Sequence, residues 1–157
     1  MKKAKGKRGI MTMKMDFEKA FGSVSWSFFR DILSDAGFDN IFIDLVVRCI
    51  SSSSFNVLWN SATTEFFYPR RGLRQGDLIS PFLFVLCMDR LSHQICDAII
   101  ASSWKPILMT KEGPAISHLM FTDDLLLFGE ASIEQANCMI DILNQFCSAS
   151  GEKINVS

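Results

Sequence analysis

Hydrophobic and polar residues alternate from residue 10 to residue 16, and a period of two predicts a β-strand. One face of this strand is apolar and carries Met11, Met13 and Met15. Later in the chain, two apolar runs, residues 117–120 and 125–128, flank the tetrad Phe-Thr-Asp-Asp at residues 121–124. This pattern predicts two strands joined by a tight turn. Acidic residues therefore lie at a predicted strand end, Asp16, and at a predicted turn, Asp123 and Asp124.

Apolar residues spaced three or four apart predict four helices. They cover residues 25–36, 41–50, 80–102 and 132–150. The expected starts are a cap at Asp39 or Asn40, a cap at Ser80 before Pro81, and a capping box of Ser132 with Gln135. Gly37 and Gly151 are the expected stops. Shorter predicted elements are a hairpin of residues 55–60 and 63–68 with Ser61-Ala62 as its turn, a loop and short strand within 103–116, and a last strand at 153–156.

Length and composition limit the protein class. The chain has 157 residues, 48% of them hydrophobic, which is enough for one domain with a substantial core. No apolar run approaches the roughly 20 residues of a membrane-spanning helix. Residues 1–9 are basic and are expected to form a flexible lead, with the domain at residues 10–157. No apolar signal-peptide core follows the basic lead, so an intracellular location, nucleus or cytoplasm, is expected.

Charge, cysteine and histidine patterns add little chemistry of their own. The net charge of −1 differs from that of a typical basic nucleic-acid binder, although basic residues gather in residues 1–19 and at Arg70, Arg71 and Arg74. The five cysteines lack C-x-x-C spacing and are expected to be reduced core residues. His93 and His118 are isolated and are expected to be structural.

The acidic pair at residues 123–124 is the strongest chemical signal. A carboxylate buried in an apolar segment must be paired, protonated or bound to a metal. Basic residues are scarce in the neighbouring sequence, so a divalent metal is the favoured partner. Asp16 would join this pair if the two strands are neighbours in one sheet. The alternative is that all three aspartates are solvated residues of turns and strand ends.

A second candidate site is the loop at residues 70–77, Arg-Arg-Gly-Leu-Arg-Gln-Gly-Asp. Its glycines let backbone approach a ligand, and its arginines supply forked donors for phosphate. The start of the following predicted helix adds a positive end. A cradle for phosphate and sugar and a simple solvated loop are equally compatible with this composition.

Four segments together resemble the palm region of the reverse transcriptase of LINE-type (non-LTR) retrotransposons. They are residues 15–21 (Met-Asp-Phe-Glu-Lys-Ala-Phe), residues 71–84 with Arg-Gly-Leu-Arg-Gln-Gly-Asp and Ser-Pro-Phe-Leu-Phe, residues 121–124, and residues 150–155 (Ser-Gly-Glu-Lys-Ile-Asn). They occur in family order and cover nearly the whole chain. The resemblance implies an α+β fold, a small antiparallel palm sheet backed by helices, as part of a right-hand architecture without complete fingers and thumb.

The resemblance also implies roles for individual residues. Asp16, Asp123 and Asp124 would ligate two Mg²⁺ ions, or Mn²⁺ in their place, with the Phe17 carbonyl as a further ligand. Phe21 would lie under the incoming sugar and exclude a 2′-hydroxyl. Gln75 and Gly76 would contact nucleotide and template, Arg74 would add positive charge, and Lys153 would assist the departure of pyrophosphate.

The implied reaction is RNA-directed DNA synthesis, in which a primer 3′-hydroxyl attacks the α-phosphate of a dNTP. The implied partners are an RNA template, a DNA primer and dNTPs, with no membrane; the oligomeric state is left open. A palm alone has few phosphate contacts, so the isolated chain is expected to be weak or inactive. Two alternatives remain: a catalytically silent retroelement fragment that folds or binds nucleic acid, and a metal-dependent nuclease.

The chain departs from the family pattern at a few positions. Gly22 replaces an aspartate, Leu78-Ile79 replaces Pro-Leu, Thr122 replaces an alanine, and Glu152 replaces an apolar residue. All three aspartates of the implied metal site are retained.

Overall fold

Helices and short strands form an α+β fold, as expected. A computed structural model describes residues 9–110 and 113–155, so residues 1–8 of the predicted lead at 1–9 and residue 156 of the predicted last strand lie outside the described residues. The strands are β1 (Ile10–Asp16), β2 (Leu58–Trp59), β3 (Ala62–Thr63), β4 (Ile107–Leu108), β5 (Ala115–Ile116), β6 (His118–Phe121) and β7 (Asp124–Glu130). The helices are α1 (Ala20–Ser23), α2 (Trp26–Asp35), α3 (Asn40–Ser51), α4 (Ser80–Ile100) and α5 (Ile133–Ser150).

The central element is an antiparallel sheet with strand order β1-β7-β6. Strands β1 and β7 pair without interruption, from Ile10 opposite Glu130 to Asp16 opposite Asp124. Because side chains alternate along a strand, this register gives the sheet two different faces. One face carries the predicted methionines together with Leu125 and Leu127, which are fully buried. The other face is open.

In the part of the chain that the structure describes, helices cover only the apolar face of the sheet. Helix α5 contacts β7 and α4, and α2 packs on α3 and α4. The ring of Phe146 on α5 meets Phe17 and Phe28 edge to face, with centroids 5.9 and 5.8 Å apart. One continuous core therefore fixes the sheet from behind and leaves its other face accessible.

The predicted helices are confirmed, with corrections at their starts. Asp39 and Ser132 cap their helices as predicted, since their side chains accept from the N–H groups of Phe42 and Gln135. Ser80 is not a cap, because the helix already includes it, and its buried hydroxyl has no partner among the described residues. Gln135 does not complete the capping box: its amide accepts from the Lys105 N–H and donates to the Ser103 carbonyl.

The predicted hairpin exists but is shorter, and its turn lies one residue earlier. Strands β2 and β3 contain two residues each, and the turn residues are Asn60 and Ser61, not Ser61 and Ala62. Both turn residues have positive φ, 47° and 63°. Two-residue turns of this hand match the twist of hairpin strands, and asparagine tolerates such angles better than most residues. Asn60 thus indicates the position of the turn, which the alternation of the strands alone does not.

All five cysteines are free, as predicted, but not all are in the core. Cys87 is buried, whereas Cys49 and Cys96 are exposed on their helices. His118 is structural, as expected, because both its ring nitrogens lie 2.9 Å from the hydroxyls of Ser92 and Ser117. Among the described helices, none is both long enough and apolar enough to cross a membrane.

Glu152 is an acidic side chain in an apolar place. Only 3% of its surface is exposed, and neither carboxylate oxygen has a hydrogen-bond partner among the described residues. Burial raises its pKa from 4.5 to about 8, against a smaller opposing effect of the Lys153 backbone. This environment suits the apolar residue that the resemblance implies at this position.

Replacing Glu152 should stabilise the fold in a pH-dependent way. Between pH 4.5 and 8 the unfolded chain has released this proton while the folded chain keeps it, so folding stability falls as pH rises through that range. We expect Glu152→Leu to raise the free energy of unfolding by roughly 1–3 kcal/mol at pH 8.5, and by less at pH 5. Urea unfolding at both pH values measures this difference.

The control is Glu152→Gln, which removes the charge but keeps the shape and an unpaired polar group. It should remove the pH dependence with a smaller gain in stability. An equal effect of Glu152→Leu at both pH values would contradict the assigned burial.

Candidate active site

Two of the predicted acidic residues face each other at one end of the sheet. Asp16 is the last residue of β1, Asp124 is the first residue of β7, and the two are direct register partners. Their side chains lie on the open face and are 52% and 53% exposed. The expectation of buried carboxylates is therefore wrong: Leu125 and Leu127 lie on the helical face, whereas Phe121, the register partner of Asp124, is itself exposed.

Asp123 has a different position from Asp124. Phe121 pairs with Asp124, so Thr122 and Asp123 are the two residues of the turn. Thr122 adopts a positive φ of 51°, and its hydroxyl lies 2.8 Å from a carboxylate oxygen of Asp123. The adjacent aspartates are consequently not equivalent, because one belongs to the sheet register and the other to the turn.

A lysine bridges the two facing carboxylates. Lys14 lies two residues before Asp16, hence on the same face of β1, and its Nζ is 3.3 Å from Asp16 and 3.0 Å from Asp124. Hydrogen bonding to both carboxylates raises the pKa of Lys14, and the ammonium lowers the pKa of Asp124. The basic partner of Asp124 comes from a distant strand, which agrees with the expectation that basic residues near it in sequence do not pair with it.

The donor set fits a divalent cation held together with substrate. Among residues 9–110 and 113–155, no group of three or more His, Cys, Asp and Glu side chains is close enough to enclose a metal. Mg²⁺ in phosphate-handling sites is usually held by one or two carboxylates plus substrate oxygens. Asp16 and Asp124 already share one cation, the Lys14 ammonium, so two carboxylates converge on one point.

The end of the chain returns to the site. After α5, Ile154 forms a bridge with Phe17, with hydrogen bonds from the Glu18 N–H to the Lys153 carbonyl (2.7 Å) and from the Asn155 N–H to the Asp16 carbonyl (2.9 Å). These bonds fix the backbone on both sides of Phe17. Their acceptors are the carbonyls of Lys153 and Asp16, so neither bond uses the Phe17 carbonyl. Lys153 is exposed beside this bridge.

The arginine-rich loop is docked on the segment that follows Asp16. The Leu73 N–H donates to the Phe21 carbonyl (2.5 Å), and the Gly72 N–H donates to the Val24 carbonyl (2.7 Å). The indole N–H of Trp26 donates to the Gly72 carbonyl at 2.8 Å. Gly72 has a φ of 85°, and a Cβ built on it would lie 2.6 Å from the Gly22 carbonyl oxygen. Only glycine therefore permits this contact.

The remaining predicted residues lie around this docked loop. The half-buried Phe21 ring stacks on Phe84 of α4, with centroids 4.6 Å apart. Arg74, Gln75 and Gly76 are exposed. The Arg74 guanidinium lies 6.0 Å from the centroid of the Phe55 ring. Phe21 and the loop are thus brought together.

Sequence reasoning missed Lys14, Trp26 and Phe84. Lys14 could have been found from its two-residue spacing to Asp16, which places both on one strand face. Trp26 and Phe84 act through contacts between distant segments, which no local pattern indicates.

A small antiparallel sheet with carboxylates on its open face and helices behind it defines a polymerase palm. The structure is similar to that of telomerase from Candida tropicalis in complex with the TWJ fragment of telomeric RNA, with a TM-score of 0.70 and 11% sequence identity over 93% of this chain and 25% of that one. At this identity the likeness concerns the fold. It confirms the predicted partial palm.

The chain belongs to the reverse transcriptase (RNA-dependent DNA polymerase) family, whose model matches residues 1–157. It is 33% identical over 149 residues to the Retrovirus-related Pol polyprotein from type-2 retrotransposable element R2DM of Drosophila melanogaster. It is 30% identical over 139 residues to the Retrovirus-related Pol polyprotein from type-1 retrotransposable element R2 of Popillia japonica. The matches cover 94% and 88% of this chain but 13% and 22% of those proteins. The resemblance to non-LTR retrotransposon reverse transcriptases is confirmed.

The close contact between the docked loop and Gly22 predicts that substitution of Gly72 destabilises the fold. Gly72→Ala places a side chain at positive φ and against the Gly22 backbone, whereas Gly37→Ala meets positive φ alone, with no atom within 4 Å. We expect Gly37→Ala to cost about 1–2 kcal/mol and Gly72→Ala at least about 1 kcal/mol more. Denaturant unfolding of both variants measures the difference. Equal losses would show that the loop does not dock closely on Gly22.

Proposed function

We propose that this chain carries the palm active site of an RNA-directed DNA polymerase and transfers nucleotides from dNTPs to a primer 3′-hydroxyl. The observation that carries this proposal is the pairing of Asp16 with Asp124 on the open face of the sheet around one cation. Carboxylates that converge on an accessible face suit a reaction in which protein and substrate share the metal. Family membership supplies the reaction class.

Members of this family generally use divalent metal ions, and the proposed ligands here are Asp16 and Asp124, with Asp123 and the Phe17 carbonyl as additional ones. A bound Mg²⁺ or Mn²⁺ would lower the pKa of the attacking hydroxyl and neutralise phosphate charge. Hydrogen bonding from the Lys14 ammonium lowers the pKa of Asp124, which favours its charged form. Asp123, in the turn, lies outside the ion pair and accepts a hydrogen bond from the Thr122 hydroxyl, and we propose it as a ligand of a second ion.

The neighbouring residues would bind and orient the substrates. Phe21 is held between its backbone bond to the docked loop and its stack on Phe84, so its ring has a fixed position from which to select the sugar. Arg74, Gln75 and Gly76 are exposed on that loop and would contact template and nucleotide. Lys153 would supply positive charge for the leaving pyrophosphate. An RNA template and a DNA primer are the proposed partners, inside the cell.

Primer extension on an RNA template tests the proposal. We expect the wild-type chain to incorporate dNTPs weakly, and Asp124→Asn or Asp16→Asn to lower the rate by more than about 100-fold through loss of metal-held charge. The matched control is Asp141→Asn, an exposed aspartate of α5, which should leave the rate unchanged.

Equal extension by the wild type and both site variants would contradict the assignment. Strand cleavage without incorporation would favour the nuclease. No extension by the wild type under any condition would favour the catalytically silent fragment.

A further inference from the structure

Lys14 is a charged residue of the site to which the proposed reaction assigns no role. Its ammonium lies 3.3 Å from an oxygen of Asp16 and 3.0 Å from an oxygen of Asp124, and the lysine side chain is 60% exposed. The lysine therefore bridges the two proposed metal ligands from solvent, and no burial locks it in place.

We propose that Lys14 is a positioning residue that holds the two carboxylates side by side and is displaced from them by the divalent ion. This inference rests on the proposed function, since it assumes that Asp16 and Asp124 are metal ligands. It adds that a residue of the chain itself, Lys14, competes with the metal for the two carboxylates.

The sheet register explains why a holding residue is needed. Asp16 and Asp124 are direct cross-strand partners, and like charges in this arrangement repel. A cation between them offsets the repulsion, so the strand end stays paired. Lys14 provides that cation from the same face of β1, because side chains two residues apart on a strand point the same way.

The same geometry explains why Lys14 competes. The ammonium lies between the Asp16 and Asp124 carboxylates, where a metal ion shared by both would also lie, and two cations held at that place repel each other. Exposed ion pairs are weak, so a divalent ion displaces the lysine at modest cost. The chain would then keep its carboxylates in position before the metal arrives and release them when it binds.

The control comes from the opposite end of β7. The exposed Lys105 forms an ion pair with the half-buried Glu130, with 3.6 Å between Nζ and the carboxylate oxygen. Lys105→Met therefore removes one positive charge, as Lys14→Met does, but it removes one ion pair instead of two and lies away from Asp124. Any general effect of net charge on metal binding appears in both variants.

The test is Mn²⁺ binding, measured by titration of the free-ion EPR signal at fixed pH and ionic strength. The proteins are the wild type, Lys14→Met, Lys14→Arg, Lys105→Met and Asp124→Asn. We expect Lys14→Met to lower the Kd for Mn²⁺ by about three- to tenfold, since two exposed ion pairs no longer compete. Lys14→Arg and Lys105→Met should stay near the wild-type Kd, and Asp124→Asn should lose binding.

Unfolding in the absence and presence of Mn²⁺ adds a second measurement. Without Mn²⁺, Lys14→Met should have a lower Tm than the wild type, because the carboxylates repel each other. With saturating Mn²⁺ the two Tm values should converge.

The outcomes separate this inference from the proposed function. Equal Kd values for the wild type and Lys14→Met, with binding still lost in Asp124→Asn, overturn the role of Lys14 alone. Weaker Mn²⁺ binding in Lys14→Met also overturns it. Mn²⁺ binding that does not depend on Asp124, or no binding by any variant, overturns the metal site and with it the proposed function.

Discussion

The pairing of β1 with β7 is the constraint on which the site depends. It brings Asp16 opposite Asp124, although the two are remote in sequence. A slip of one residue would turn one of the carboxylates to the helical side. Such a slip is opposed by the core, because Leu125 and Leu127 are fully buried beneath the helices and their partners on β1 share that face. The hydrophobic core thus sets the position of the polar site.

The short segment that follows Asp16 connects the other parts of the site to this sheet. Phe17 is bridged by the returning chain end, and the carbonyl of Phe21 accepts from the docked arginine loop. Gly72 makes that docking close enough for direct backbone contact. Asp16, the Phe21 ring and the arginine-rich loop are therefore held by one stretch of backbone, and the proposed phosphoryl transfer would need rigid placement of this kind.

Local patterns predicted what depends on local physics. The period-two stretch ending at Asp16 and the apolar runs around residues 121–124 identified the strands, and the caps at Asp39 and Ser132 identified helix starts. What failed depends on contacts between distant segments. Lys14 pairs across the sheet, Gln135 bonds to a loop instead of its own helix end, and Glu152 is buried by packing that no neighbouring residue reveals.

The central claim is that Asp16 and Asp124 together bind the catalytic metal, and crystallographic location of Mn²⁺ tests it most directly. Crystals of the wild-type chain soaked with Mn²⁺ and a dNTP should give an anomalous peak between the two carboxylates, with the ammonium of Lys14 moved away from both. A peak at other carboxylates, with Lys14 still bridging Asp16 and Asp124, would contradict the account.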